Sequence, residues 1–363
     1  MRILFVVTGV GLGDATREHA NIEAFLKKDP STEIIVAGYD NSYEYFKAKF
    51  PTVKIRGYKL SGKRLKFNLL SFIIRNFFLP FKWLWETIKL RLLVRRFNPD
   101  VVISDFEPTG ILMARLAKKK CVVVFGYDPF AFDEFTRKHQ VSQIMAWEHR
   151  YLKGVYDRAD LVIIQTLLNR RHSMIYNYVN PIIRTKPSDL HNEKVLMKKL
   201  GLKKQPIIVM LGGSEFGIRL AKEIDNVASK LPNENFIIFG ASKMVPRSPN
   251  VTHYPFKDNV LEYLKVSKGV ISLAGQKSLT ESIVFKKPML IFPIEDHIEQ
   301  ALNAYTVESI AKVCWDSSNK QIRKAVIEFS NSIPELNRKM ENLNVNANGA
   351  EQVVKLVYGI LQH

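Results

Sequence analysis

Two successive series of short apolar runs constrain the fold of this chain more than any other feature of its sequence. The first series comprises residues 3–8, 34–37, 101–104, 122–125 and 161–165. The second series comprises residues 207–211, 236–239, 269–273 and 289–292. Each run is followed by helical or loop sequence, which is typical of parallel strands buried on both faces of a sheet. We therefore predict an α/β fold of two doubly wound parallel-sheet domains that face each other across a cleft, with ligands at the carboxyl ends of the strands.

Length and composition set the expected domain boundaries. With 363 residues the chain exceeds one usual domain, and its 46% of hydrophobic residues can fill two cores. A polar, proline-containing stretch at 184–205 separates the two series and is predicted to be a linker. The N-terminal domain is then predicted at 1–183 and the C-terminal domain at 206–340. Residues 341–363 have the apolar spacing of a helix that packs back on the domains.

Cysteine usage and the first residues indicate the compartment. The two cysteines, Cys121 and Cys314, are too few and too far apart for a disulfide framework. The apolar run MRILFVV passes directly into a glycine-rich stretch, without the cleavage site of a signal peptide. We expect the protein in the cytoplasm.

The net charge of +19 favours an anionic partner. Much of this charge is concentrated in one segment of the sequence. Residues 63–97 hold nine basic residues and one acid, Glu86, which leaves +8, interleaved with phenylalanines and tryptophans. Their apolar stretch is too interrupted to span a bilayer, which takes about 20 apolar residues. We predict a pair of surface helices that holds the protein peripherally on the anionic inner face of the cell membrane. Core helices with a solvated basic face are the alternative; no nucleic-acid partner is predicted, because aliphatic residues outnumber the polar ones that base contacts need.

A glycine cluster follows the first apolar run in TGVGLGDATR, where a helix is expected to begin. Gly11 and Gly13 would let backbone N–H groups approach a ligand, with Arg17 one turn further on. Asp14 is a candidate general base at the edge of the cleft, or only the N-cap of the helix.

Two further carboxyl groups follow the run at 101–104. Asp105 and Glu107 end a predicted strand on the side of the cleft, where ligands bind in this architecture. Asp105 is a candidate for acceptor binding and Glu107 a second candidate for the base. Capping of the helix expected near Pro108 is the structural alternative for one of them.

The second apolar series carries its own glycine cluster in LGGSEFGIR. Gly212, Gly213 and Ser214 would form a turn that faces a diphosphate, and Arg219 could pair with its charge. Two adjacent glycines and a serine exceed what a purely structural turn requires.

Residues 272–303 contain the largest group of closely spaced candidate binding residues in the chain. A strand enters a turn at Gly275, and a helix is expected to begin at Lys277 and Ser278 with Glu281 in its first turn. N–H groups at a helix start stabilise a diphosphate, and a neighbouring carboxylate can hold sugar hydroxyls. Ser278 with Glu281 also has the spacing of a capping box.

These motifs together resemble the GT-B glycosyltransferases over nearly the whole chain. GQKSLTE is similar to their glycine-x-x-serine-x-x-glutamate signature, and EQALNA to the acid-glutamine-x-x-asparagine-alanine sequence that ends their donor site. The first glycine loop and LGGS resemble the loops of glycosyltransferase family twenty-eight, typified by the lipid II-forming N-acetylglucosaminyltransferase. The resemblance implies two Rossmann-like domains.

The same resemblance assigns the donor site. Glu281 would hold the ribose. The diphosphate would be bound by Gly275, Lys277 and Ser278. The transferred sugar would be bound by Glu299 and Gln300, which otherwise begin a solvated helix. Phe256 would line the base pocket, or is an ordinary core aromatic.

Two positions depart from the family pattern. Relatives usually carry histidine where this chain has Asp14, and His19 lies about 140° further around the helix axis. Plant-type relatives carry a phosphate-binding histidine where this chain has Leu273. We expect Lys277 to supply the missing charge.

The function implied is that of an inverting glycosyltransferase. It would move a sugar from a nucleotide-diphosphate sugar, expected to be UDP-linked, to a lipid-linked or glycolipid acceptor. No metal and no cofactor are expected, because the chain has no Asp-x-Asp tripeptide and positive side chains can stabilise the departing diphosphate. A UDP-sugar 2-epimerase of the same fold, which needs no acceptor, and a non-catalytic membrane-docking protein are the alternatives.

Overall fold

The computed structural model describes residues 1–59, 62–63, 66–67, 69–166, 173, 175–211, 217–241, 244–255 and 257–362. The strands are β1 (Arg2–Val7), β2 (Glu33–Gly38), β3 (Thr52–Lys54), β4 (Gly62–Lys63), β5 (Lys66–Phe67), β6 (Val101–Asp105), β7 (Lys120–Phe125), β8 (Leu161–Gln165), β9 (Tyr176–Val179), β10 (Ile207–Met210), β11 (Phe236–Phe239), β12 (Val251–Tyr254), β13 (Gly269–Leu273), β14 (Met289–Phe292) and β15 (Lys312–Val313).

The helices are α1 (Gly13–Lys28), α2 (Asp40–Phe46), α3 (Leu69–Arg75), α4 (Leu79–Phe97), α5 (Pro108–Leu116), α6 (Pro129–Thr136), α7 (Gln143–Tyr156), α8 (Glu193–Lys199), α9 (Gly217–Ala228), α10 (Val260–Val266), α11 (Gln276–Val284), α12 (Ile298–Val307), α13 (Asn319–Glu341) and α14 (Gly349–Leu361).

The chain divides into two compact units. The first consists of Met1–Ser61, Leu69–Arg184 and Asn346–His363, and the second of Gly62–Asn68 and Thr185–Val345. The stretch at 184–205, predicted as a linker, contains helix α8, whose Leu196 is fully buried. Most of that stretch is therefore folded as part of the second unit.

The first unit contains a parallel sheet with the strand order β3-β2-β1-β6-β7-β8-β9. Its central strands are buried on both faces, so their sequences are mostly apolar. Strand order reverses between β1 and β6, which pair with Val7 opposite Asp105. This is the switch point, where loops diverge and leave room for a ligand.

The second unit repeats this plan with the strand order β12-β11-β10-β13-β14-β15, again parallel. Its core forms where the sheet packs against α9 and α13, around side chains such as Ile224 and Phe329. Strand order reverses between β10 and β13. The predicted α/β architecture with two Rossmann-like parallel sheets is confirmed.

The last helix returns to the first unit. α14 packs against α1, where Phe25 and Tyr358 stack with ring centroids 6.5 Å apart. The backbone N–H of Asn180 donates to Oε1 of Gln352 at 2.7 Å. Helix α13 belongs to the second unit, so the change of unit lies between α13 and α14.

Candidate functional site

At the switch point of the first unit, α1 brings two predicted residues onto a third. Nη2 of Arg17 lies 2.7 Å from Oδ1 of Asp14 and 2.6 Å from Oδ1 of Asp105. Nε of Arg17 donates to the other oxygen of Asp105 at 3.1 Å. The backbone N–H of Thr8 fixes the strand end by donating to the Asp105 carbonyl at 3.1 Å. Asp14, Arg17 and Asp105, which the sequence placed on the acceptor side, therefore form one cluster.

A fourth member of this cluster, Glu18, was not predicted from the sequence. Its side chain is fully buried, with Oε1 3.9 Å from Nε of Arg17. Its second oxygen accepts from Nδ2 of Asn21 at 3.1 Å. Three carboxyl groups thus surround one guanidinium group. The only signal in the sequence was a charged residue on the face of α1 that also carries buried apolar residues.

Asp14 is the member of this cluster that a substrate can reach. Its side chain keeps 26% of its exposure, whereas that of Asp105 keeps 0%. Burial and then the nearby charge of Asp105 raise the pKa of Asp14 to about 7, while Arg17 opposes this rise. A carboxyl group with a pKa near neutrality is a stronger base than an ordinary aspartate and is still substantially ionised at pH 7.

Glu107, the second predicted base, is fully buried at the start of α5. It is the N-cap of that helix: its Oε1 accepts from Oγ1 of Thr109 at 2.9 Å and from the Thr109 N–H at 3.5 Å. Burial raises the pKa of Glu107 to about 7, which the bonds from Thr109 oppose. The capping role anticipated for one of the two carboxyl groups belongs to Glu107. Exposure therefore favours Asp14 as the base.

His19 faces a different environment from Asp14. Its Nδ1 lies 2.7 Å from the hydroxyl of Tyr45, and its ring packs against Tyr45 and Phe50. Burial, with Arg184 and Lys49 adding to it, lowers the pKa of His19 to about 4. Gly11 and Gly13 lie at the start of α1, half-buried.

In the second unit, the turn after β13 leaves the start of a helix open. α11 begins at Gln276 with Gly275 as N-cap, and no side chain caps it. A Cβ atom built on Gly275 meets no atom within 4 Å. The sequence placed the start of this helix too late. The helix begins before Lys277, so Glu281 lies in its second turn, and Ser278 is too far inside the helix to form the capping box considered for it.

The residues predicted to bind the donor diphosphate and ribose lie on this helix. Nζ of Lys277 is 3.7 Å from Oε1 of Glu281, a side chain that is almost completely buried. Ser278 is half-buried on the first turn. The helix therefore presents backbone N–H groups, one ammonium group and one carboxylate within two turns.

Helix α12 is tied to the same turn. Nδ2 of Asn303 donates to the Ala274 carbonyl at 3.1 Å and to Oε1 of Glu299 at 3.5 Å. Asn303 thus links Glu299 to the residue before Gly275. Oε1 of Gln300 accepts from the Ile294 N–H at 3.1 Å and fixes the loop that precedes α12. That oxygen of Gln300 is engaged by the protein itself.

Of the remaining residues predicted for the donor site, the structure describes Arg219. Arg219 directs Nε and Nη2 to Oδ1 of Asn319, at 2.9 and 2.6 Å. Gly217 is needed for packing, since a Cβ there would lie 2.6 Å from Cβ of Leu211. Four predicted residues lie outside the described part of the chain: Gly212, Gly213, Ser214 and Phe256.

The basic aromatic segment forms α3 and α4 with a broad exposed apolar face. Phe81 is 71% exposed and Trp85 63% exposed. The same face of α4 continues with three exposed aliphatic residues, Leu84, Ile88 and Leu92. Trp83, by contrast, is half-buried beside the groove between α4 and α5. We call Phe81, Leu84, Trp85, Ile88 and Leu92 the α4 stripe.

The opposite face of α4 is buried against the first unit, through Leu90 and Val94. The acid of this segment, Glu86, is 2% exposed and lies 3.8 Å from Lys89 and 3.9 Å from Arg56. Arg64, Leu65 and Asn68 of the predicted segment lie outside the described residues. Within the described ranges, the structure contains no helix long and apolar enough to cross a membrane.

The chain is similar to known glycosyltransferases along most of its length. The family model described as Glycosyl transferase family 1 matches residues 1–334. An uncharacterized glycosyltransferase of Methanosarcina mazei is 28% identical over 342 residues, which cover 85% of this chain and 84% of that protein. The UDP-N-acetylglucosamine--N-acetylmuramyl-(pentapeptide) pyrophosphoryl-undecaprenol N-acetylglucosamine transferase of Clostridium botulinum is 26% identical, covering 79% of this chain and 77% of that enzyme.

Solved structures agree in fold. MurG of Acinetobacter baumannii superposes with a TM-score of 0.61 at 16% identity, covering 99% of both chains. A UDP-glucosyltransferase of Polygonum tinctorium superposes with a TM-score of 0.69 at 13% identity, covering 100% of this chain and 99% of that one. The predicted resemblance to GT-B enzymes, and to the lipid II-forming transferase among them, is confirmed.

Proposed function

Since this chain belongs to glycosyl transferase family 1 and is a glycosyltransferase, we propose that it transfers a sugar from a UDP-sugar to a lipid-linked or glycolipid acceptor. The observation that carries this proposal is the N-terminus of α11, which no side chain caps, with Lys277 and the buried Glu281 beside it. Relatives named for the use of UDP-N-acetylglucosamine and an undecaprenol-linked acceptor support both halves of the proposal.

The donor would be bound at the edge of the second sheet. Backbone N–H groups and the helix dipole at the start of α11 attract the diphosphate, and Lys277 adds a full positive charge. Glu281 has the length and charge to accept hydrogen bonds from both ribose hydroxyls. Glu299, held by Asn303, would face the transferred sugar. The N–H groups of α11 and Lys277 stabilise the leaving diphosphate, so the proposal needs no metal and no cofactor.

The reaction would be a direct displacement with inversion. Asp14 accepts the proton of the acceptor hydroxyl, and the oxygen attacks the anomeric carbon of the donor. A new carbon–oxygen bond forms as the bond to the diphosphate breaks, and its electron pair leaves with the diphosphate. A base whose pKa is about 7 suits this step at neutral pH.

The acceptor side would lie at the cytoplasmic face of the membrane. The α4 stripe exposes large apolar side chains on a helix that also carries Lys82, Lys89 and Arg91. An exposed apolar face of this size marks an interaction site, and basic residues near an anionic surface contribute about 1 kcal/mol each. This combination supports peripheral binding, which would bring the enzyme to a lipid-linked acceptor.

The donor is tested by a thermal-shift screen of the wild-type protein against nucleotides and nucleotide sugars. A ligand present at about 100 times its Kd stabilises the folded state by about 2.7 kcal/mol. UDP and UDP-N-acetylglucosamine should raise the melting temperature more than ADP or GDP. Equal shifts for all nucleotides would contradict the choice of UDP. Product analysis with UDP-N-acetylglucosamine alone detects any 2-epimerase activity.

Membrane binding is tested by sedimentation with vesicles of phosphatidylglycerol and phosphatidylcholine. Replacing both Phe81 and Trp85 by serine should reduce the bound fraction several-fold. Trp147→Ser is the matched control, because Trp147 is 61% exposed on α7, outside the α4 stripe. If the double variant binds as well as wild type, the α4 stripe is not the membrane contact.

A further inference from the structure

The cluster around Arg17 suggests how the base is controlled. We propose that Arg17, held in place by Asp105 and Glu18, is a positioning residue that orients Asp14 and sets how readily it accepts the acceptor's proton. This inference rests on the proposed role of Asp14 and extends it to residues that do not themselves touch the substrate.

Three hydrogen bonds restrict the orientation of Arg17. Its guanidinium group makes two hydrogen bonds to Asp105, at 3.1 and 2.6 Å, and a third to Asp14 at 2.7 Å. A planar guanidinium group that is bound through two of its nitrogens cannot rotate without breaking both bonds. Asp105 is fixed by the sheet, so the third bond fixes the carboxylate of Asp14 relative to the switch point. Lysine, a point charge on a flexible chain, could not reproduce this fork.

The charges of the cluster explain why the protonation of Asp14 depends on its neighbours. Three carboxyl groups and one guanidinium group would carry a net charge of −2 if all were ionised, which is costly in a buried site. Burial raises the pKa of Glu18 and of Asp105 as well, and the charge of Arg17 opposes both rises. The positive charge of Arg17 therefore favours the ionised form of Asp14, whereas the negative charge of Asp105 opposes it.

Few other charged groups bear on Asp14 among the described residues of the first unit. On its own helix these are Arg17 and Glu18, and from the end of β6 the group is Asp105. Helix α2 also packs on α1, where its Tyr45 and Phe46 contact His19. Helix α14 packs near the far end of α1 through an aromatic stack. The protonation of Asp14 is therefore controlled from two directions with opposite signs.

These opposite signs provide a test that a merely structural role would not pass. Release of UDP from UDP-N-acetylglucosamine, with water as acceptor, is followed against pH for wild type, Arg17→Met and Asp105→Asn. The loss of rate on the acid side should move to higher pH in Arg17→Met, by about one pH unit or more, since a neighbouring arginine lowers an aspartate pKa by about 1–3. In Asp105→Asn it should move to lower pH. Arg17→Lys should restore the position of the acid limb but not the full rate.

A second readout is independent of activity. Infrared difference spectra between each protein and the same protein with Asp14→Asn report the protonation of the Asp14 carboxyl group directly. Opposite displacements of that titration in the Arg17→Met and Asp105→Asn backgrounds support the inference. An unchanged titration in both variants overturns it, even if their melting temperatures fall. If the titration moves as expected but Asp14→Asn leaves UDP release intact, the coupling is real and the assignment of Asp14 as base has failed.

Discussion

At the switch point of the first unit, three carboxyl groups gather around Arg17, whereas in the second unit the helix after β13 presents the N–H groups of its first turn and Lys277. Both edges lie at the reversal of strand order in a parallel sheet, so the architecture is the same and the charge is opposite. A negative edge can take up a proton, and a positive edge can hold a diphosphate. Similar sheets can therefore supply the two halves of a transfer reaction through a few residues in their loops.

The largest expected effect comes from removing the base at the negative edge. Asp14→Asn keeps the shape of the side chain but cannot accept a proton, so turnover should fall about 10²–10⁴-fold. Affinity for UDP in calorimetry should stay within a factor of two. Asp29→Asn, at the far end of the same helix, is the control and should keep wild-type turnover. Normal turnover of Asp14→Asn would move the base to another carboxyl group.

A smaller effect is expected when the ribose contact at the positive edge is removed. Glu281→Ala should weaken UDP binding about 100-fold, because each hydrogen bond to a charged group contributes about 1.5–3 kcal/mol. Calorimetry measures this directly. Glu335→Ala, an exposed position on α13, should bind UDP like wild type. If Glu281→Ala retains wild-type affinity, the nucleotide is held elsewhere.

Substitution of two glycines in the second unit should affect UDP binding in one case and the stability of the fold in the other. A methyl group at Gly275 has free space, so Gly275→Ala should melt like wild type but bind UDP about 10-fold more weakly, because the proposed diphosphate site lies there. A methyl group at Gly217 would collide with Leu211, so Gly217→Ala should lose about 1–3 kcal/mol of stability. Calorimetric titration and thermal melting of both variants check this pair. Wild-type UDP affinity in Gly275→Ala would argue against a diphosphate at this turn.

The smallest effect concerns the buried carboxyl group that lies behind the negative edge. Glu107 has a folded-state pKa of about 7, above its ordinary value of 4.5, so folding binds a proton between these pH values and stability falls as pH rises through them. Glu107→Gln removes this loss and can still accept the bonds from Thr109. Its melting temperature should exceed that of wild type by a few degrees at pH 8, at about 2–4 °C per kcal/mol, and by less at pH 4.5. A gain of the same size at both pH values would contradict the raised pKa.

The strands at the centre of each sheet could be predicted because they are buried on both faces. The runs at 161–165, 236–239, 269–273 and 289–292 coincide with β8, β11, β13 and β14. The edge strands were missed, as in β3 and β12, where half-buried and polar residues remove the apolar signal. The start of α11 was misjudged by one or two residues, because a glycine N-cap gives no side-chain signal of its own.

The two parallel sheets, the family and the helix after β13 can be inferred from the order of residues alone, because burial and glycine spacing leave a periodic signal along the chain. Which charged residues meet depends on how the strands and helices pack in three dimensions. Arg17 and Asp105 are 88 positions apart, and their contact exists because β1 and β6 are neighbours in the sheet. The same packing leaves Asp14 accessible while Glu107 is buried as a cap, since exposure depends on contacts that no local pattern records.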